Sequence, residues 1–86
     1  MWIIETAYDN TPERVAGRPA HRARLADLHE EGLIRMAGPW GDDSGALIIA
    51  DVPDRRAVDD LLAQDPFLSA PGVRVVSIRQ WNPFLV

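Results

Sequence analysis

With 86 residues and no cysteine, the chain makes a single domain, residues 1–86, that folds without disulfides, and it offers neither a thiol nucleophile nor a thiolate metal site. A chain this short buries only about 60 to 65% of the surface its unfolded form exposes, so the core is small. Nine arginines, no lysine and thirteen acids give a net charge of −4 with the two signs interspersed, which argues against a nucleic-acid partner, because phosphate neutralisation needs a basic face.

No run approaches the roughly 18 apolar residues of a membrane span, and no basic stretch followed by an apolar one marks a signal peptide. A soluble, cytoplasmic protein without a membrane partner is the expectation. Residues 2–8 are aromatic and β-branched enough to predict a strand. Thr11 then serves as an N-cap with Pro12 at the first helical position. Pro19 removes a helical hydrogen bond and crowds the preceding turn, so the expectation is a short turn over 12–16, a break at Gly17, and a main helix from Arg18 or Pro19 to Glu31. Arg18, His21, Leu25, Leu28 and Gly32 recur at steps of three or four, which aligns a charge, an imidazole and two leucines on one helix face.

Gly32 ends that helix in a left-handed cap, and a short strand is predicted over 33–37. The turn residues of 38–45 connect it to an apolar strand over 46–52, making a hairpin. Asp54 caps a second helix with Ala57, Val58, Leu61 and Leu62 as its buried stripe, ending near Gln64. Asp65 precedes Pro66 and is driven out of the α region, which places a break there. The last strand is predicted over 73–81.

Strand, helix, strand, strand, helix, strand is the ferredoxin-like α+β order, with both helices on one face of a four-stranded antiparallel sheet. The uncovered face should alternate apolar with polar. Instead 46–50 and 73–78 are apolar on both sides, which predicts a covering partner, most simply a second copy of the chain.

His21 is the residue a packing helix has least use for. It reads either as a half-buried histidine bonded to backbone or carboxylate, or as a general acid or base, since its ordinary pKa of about 6.5 suits proton exchange near neutrality. Asp65 is the candidate orienting carboxylate, because an anion at the carboxyl end of a helix opposes the macrodipole; it also makes a good N-cap for a short turn through Phe67. Arg18, one turn before His21, either binds an anionic group of a substrate or pairs with an acid. Trp40 and Phe67 either wall a pocket or pack in the core. His29 reads as a surface residue favoured by the helix end. Neither Asp42-Asp43 nor Asp59-Asp60 has a third ligand at a metal-binding spacing, and no glycine-rich phosphate loop is present, so neither metal nor cofactor is expected.

Arg18-x-x-His21, Leu25, Leu28, Gly32, Gly38-Pro39, Gly45, Asp65-Pro66-Phe67 and a last strand closing on Ile78-x-x-Trp81 form a spaced set that resembles the YciI-like (YCII-related) proteins over nearly the whole chain. The resemblance implies a dimeric α+β barrel of two ferredoxin-like sheets packed face to face. It also implies that His21 and Asp65 are a catalytic pair in a small pocket bordered by the Gly38-Pro39 turn. The better understood relatives and the wider barrel superfamily include enzymes acting on chlorinated or hydroxylated aromatic compounds by elimination or isomerisation. The expected function is therefore proton transfer on a small aromatic or organic acid substrate, with His21 as base, Asp65 orienting it, and Arg18, Pro39, Trp40 and Phe67 meeting the substrate. The alternative is a non-catalytic dimeric module that holds a metabolite in the same pocket. A haem or metal oxygenase is a weaker third reading, because no ligand beyond the two histidines is evident.

Overall fold

The structure, a computed structural model, describes residues 1–86. Its elements are β1 (Trp2–Tyr8), α1 (Pro12–Glu30), β2 (Ile34–Pro39), β3 (Gly45–Ala50), α2 (Arg55–Ala63), a 3₁₀ turn (Pro66–Ser69) and β4 (Val73–Gln80). The four strands form one antiparallel sheet in the order β2-β3-β1-β4, the ferredoxin-like arrangement predicted from the order of elements. No helix is long and apolar enough to cross a membrane.

The core is where the helices meet one sheet face. Ile4, Ile34, Ile48 and Ala50 from the sheet join Leu28 of α1 and Val58 of α2 in a buried cluster, with Leu25, Leu61, Leu62 and Ile78 packed against it. The predicted apolar stripes of both helices are thus the faces that are buried.

The expected break before Pro19 is absent, and α1 runs unbroken through Gly17 and Pro19. Pro19 has no N–H to offer the carbonyl of Val15, four residues back. Val15 lies on the exposed side, 54% accessible, where water can take that place, so the helix continues at some cost. The other end is as expected. Gly32 has φ +81, Gly32 N–H donates to the His29 carbonyl at 3.0 Å and Leu33 N–H to the Leu28 carbonyl at 3.0 Å, which closes the helix in a Schellman motif.

The two faces of β4 also differ from the expectation. A bulge shifts the β1-β4 register between Glu5 and Thr6, so Val73, Val75 and Ile78 stand opposite Tyr8, Thr6 and Ile4 respectively, all on the helix side. The extra residue, Val76, rather than an alternation, is what made this strand read as apolar on both faces. In β3 the reading holds: Ile49 pairs with Ile3 and Leu47 with Glu5, on the face no helix covers.

Candidate active site

His21 and Asp65 meet. His21 lies in the third turn of α1, Asp65 at the junction between α2 and the 3₁₀ turn, and His21 Nδ1 is 2.6 Å from Asp65 Oδ2 with both side chains buried. The proline after Asp65 explains the carboxylate's position. It stops α2, and the freed Asp65 caps the next turn, with Oδ1 accepting the Phe67 N–H at 3.1 Å. Asp65 thus caps the turn with one oxygen and meets His21 with the other.

Because Asp65 accepts at Nδ1, the neutral ring carries its proton there and leaves Nε2 as the basic nitrogen. Nε2 has no protein partner. Phe67 fixes the ring plane: the two rings stack with centroids 4.1 Å apart and 18° between planes. Tyr8 meets Phe67 edge-on at 5.8 Å and 85°, so the stack is braced from the sheet. Gly17, one turn before His21, makes room, since a Cβ there would lie 3.3 Å from Phe67 Cδ1.

His21 and Phe67 form part of the wall of a cavity of about 600 Å³ between α1 and the β2-β3 edge of the sheet. Its floor is apolar, with Leu25, Ile34, Ala46 and Ile48, and Arg18, Arg22, His29 and Arg35 lie around it. Volume and character match an ordinary small-molecule site. A smaller hollow of about 270 Å³ lies on the Asp65 side of the same ring.

Of the other candidates, Pro39 lines the cavity beside Gly38. Trp40 does not; it is 45% exposed and packs over Gly45, where a Cβ would lie 3.2 Å from its Cδ1. Arg18 lines the cavity but is engaged by Asp43 of the β2-β3 turn, its Nη2 reaching both carboxylate oxygens at 2.9 Å. That ion pair holds the Asp43 carboxyl below the ordinary carboxylate value. Arg14, buried and unremarked in the sequence, completes the group: Nη1 reaches Asp43 Oδ2 at 3.3 Å, Nε donates to the Asp9 carbonyl at 2.9 Å, and the guanidinium lies 4.9 Å over the Tyr8 ring. Arg14 precedes Arg18 by four residues, a helical spacing that was the available signal. His29, read as a surface residue, is tied through Nδ1 to the Ile34 carbonyl at 2.8 Å and borders the far end of the cavity. No three histidines or acids gather to hold a metal.

The fold and site define a ferredoxin-like α+β domain with a buried histidine-carboxylate pair at the wall of a small cavity. Comparison with known proteins makes the assignment closer: the YCII-related domain matches residues 1–82, and the chain belongs to that family. It is 33% identical over 84 residues to the protein YciI of Escherichia coli and to that of Shigella flexneri, with 86% of each chain covered. Among solved structures, the 5-chloro-2-hydroxyhydroquinone dehydrochlorinase of Burkholderia phenoliruptrix AC1100, in complex with 2,5-dihydroxybenzoquinone, has the same fold. It aligns with a TM-score of 0.67 over 95% of this chain and 94% of its own, at 21% identity.

Proposed function

We propose that the chain is a small-molecule enzyme in which His21 is a general base and Asp65 its orienting partner, acting by elimination or isomerisation on a small hydroxylated aromatic or organic acid. The observation that carries this reading is the 2.6 Å contact between two buried side chains at the wall of a cavity. A histidine kept only for packing has no need of a carboxylate that fixes its tautomer.

In this reading Nε2 takes a proton from an O–H or C–H of the bound substrate. The electron pair left behind forms a new double bond. In an elimination it displaces the leaving group, which departs with its own bonding pair; in an isomerisation the proton returns at another atom. Asp65 balances the charge the ring gains during the transfer. The fold shared with a dehydrochlorinase supports the elimination branch. We also place the working form as a homodimer joined through the face bearing Ile3, Leu47 and Ile49, since these apolar side chains are only half-buried and lie on the sheet face that no helix covers.

The test is a panel of hydroxylated and chlorinated hydroquinones and related acids, followed by absorbance and by halide release. A substrate should be turned over by the native protein and not by a folded His21→Ala variant. Equal rates from the two would refute the assignment of His21. Binding across the panel with no reaction would favour the metabolite-holding module instead.

A further inference from the structure

The wall of the large cavity contains three arginines and two histidines and not one acid, although the chain as a whole has a net charge of −4. No carboxylate lines the hollow itself; acids meet its wall residues only from behind or from the rim. Three do so: Asp65 is buried against His21, Asp51 meets the exposed Arg35 at 3.2 Å, and Asp43, on the β2-β3 turn, grips Arg18 with both oxygens.

We propose that Asp43 is a displaceable internal counter-ion, which occupies Arg18 until the anionic group of a ligand takes its place, so that Asp43 sets the preference of the cavity for anions. This rests on the reading of the cavity as a ligand site and goes beyond it by naming a residue that governs selectivity.

Several features make the pair exchangeable rather than purely structural. Asp43 is on an exposed turn and 42% accessible, so on release it regains water. Its backbone, at φ 60, is held by the turn's own bond from Asp43 N–H to the Trp40 carbonyl at 2.9 Å, so the turn does not depend on the tie to Arg18. Arg14 is not abandoned by the exchange, since it keeps the Asp9 carbonyl and the Tyr8 ring. Two guanidinium groups facing one carboxylate leave the cluster one positive charge in excess. A ligand carboxylate or phenolate on Arg18 would replace one charge-assisted pair by another.

The probes are 2,5-dihydroxybenzoate and hydroquinone, which share a ring and differ by a carboxylate. Each is titrated by NMR into the native protein and into Asp43→Asn, a change that keeps a residue tolerant of the left-handed conformation. Asp43→Asn should bind the benzoate about two- to fivefold more tightly, because no ion pair must be broken first, and hydroquinone unchanged. In the native protein the amide signals of Gly41, Asp43 and Ser44 should shift with the same midpoint as the His21 ring for the benzoate alone. That second readout needs no variant. Equal changes for both probes, or weaker benzoate binding in Asp43→Asn, would overturn the counter-ion role while leaving the cavity a ligand site. Absence of any cavity shift with either probe would overturn both.

Discussion

Asp65→Asn separates the folding role of this carboxylate from its orienting role. The asparagine oxygen still accepts the Phe67 N–H, which Oδ1 accepts at 3.1 Å, so the 3₁₀ turn keeps its cap. Its amide nitrogen, however, now faces His21 Nδ1, where Oδ2 had been 2.6 Å away, and two donors cannot bond. The ring must move its proton to Nε2 and accept at Nδ1, which removes the base from the nitrogen that has no protein partner. Replacing a charge-assisted hydrogen bond by a neutral one costs about 1 to 2 kcal/mol, reduced by relief of a buried charge. Turnover should fall on the order of 10³ to 10⁴-fold, as when a wrong tautomer is imposed on another histidine base. Asp65→Ala should instead leave two buried donors unpaired and cost about 2 to 5 kcal/mol. Urea unfolding gives the stabilities, and long-range ¹H–¹⁵N correlation gives the tautomer of the neutral ring without needing a substrate. A proton found on Nε2 in the native protein, or one that stays on Nδ1 in Asp65→Asn, would refute the reasoning.

Pro19→Ala should stabilise the protein by about 1 to 2 kcal/mol in urea unfolding, since it restores the bond to the carbonyl of Val15 and gives back part of that gain as unfolded-chain entropy. Gly45→Ala should lower the stability in urea unfolding by about 3 kcal/mol, because its Cβ would meet the Thr6 carbonyl oxygen, a backbone atom of the paired strand that cannot turn aside. The Asp43 carboxyl is depressed in the folded protein chiefly by its hydrogen bond to Arg18, so its stabilising effect is complete above the ordinary value of 3.8 and is lost as the pH falls through the lower folded value. Carbon-detected titration should show this, and Arg18→Gln should move the Asp43 midpoint upward. Sedimentation at micromolar concentration should give twice the chain mass, and Ile49→Glu, on the uncovered face, should give the monomer; a native monomer would remove the dimer.

The order of elements and the stripes of both helices were legible because they depend on local periodicity and on strong punctuation: Thr11-Pro12, Gly32, Asp54 and Asp65-Pro66. What was not legible depends on the third dimension. Pro19 reads as a helix breaker in isolation, yet tertiary packing of Leu25 and Leu28 on one side and water on the other outweigh it. The bulge in β4 changes which face every later residue takes, and no residue type announces it. At the site, the pairing of His21 with Asp65 was expected from facing helix ends, but His21 lies in the middle of α1, and it is the stop before Pro66 that carries Asp65 to it. Asp43, weighed in the sequence only as half of an acidic pair for a metal, could not be matched to Arg18 because it comes from a turn that folds back onto α1, 25 residues away, and Arg14 escaped notice because a helix shows its partner only once the hairpin is in place.

Gly17 is the atom-scale clearance on which the stacked His21 and Phe67 rings depend, yet glycine is among the poorest choices for a helix interior, at about 1 kcal/mol relative to alanine. A library selected for heat resistance and one selected for turnover would thus diverge at this position. The first would drift toward alanine, whose methyl presses on Phe67 and tilts the imidazole that lies against it. The second would hold glycine and look elsewhere for stability, so sequencing both libraries would map where this small domain trades endurance for a correctly aimed ring.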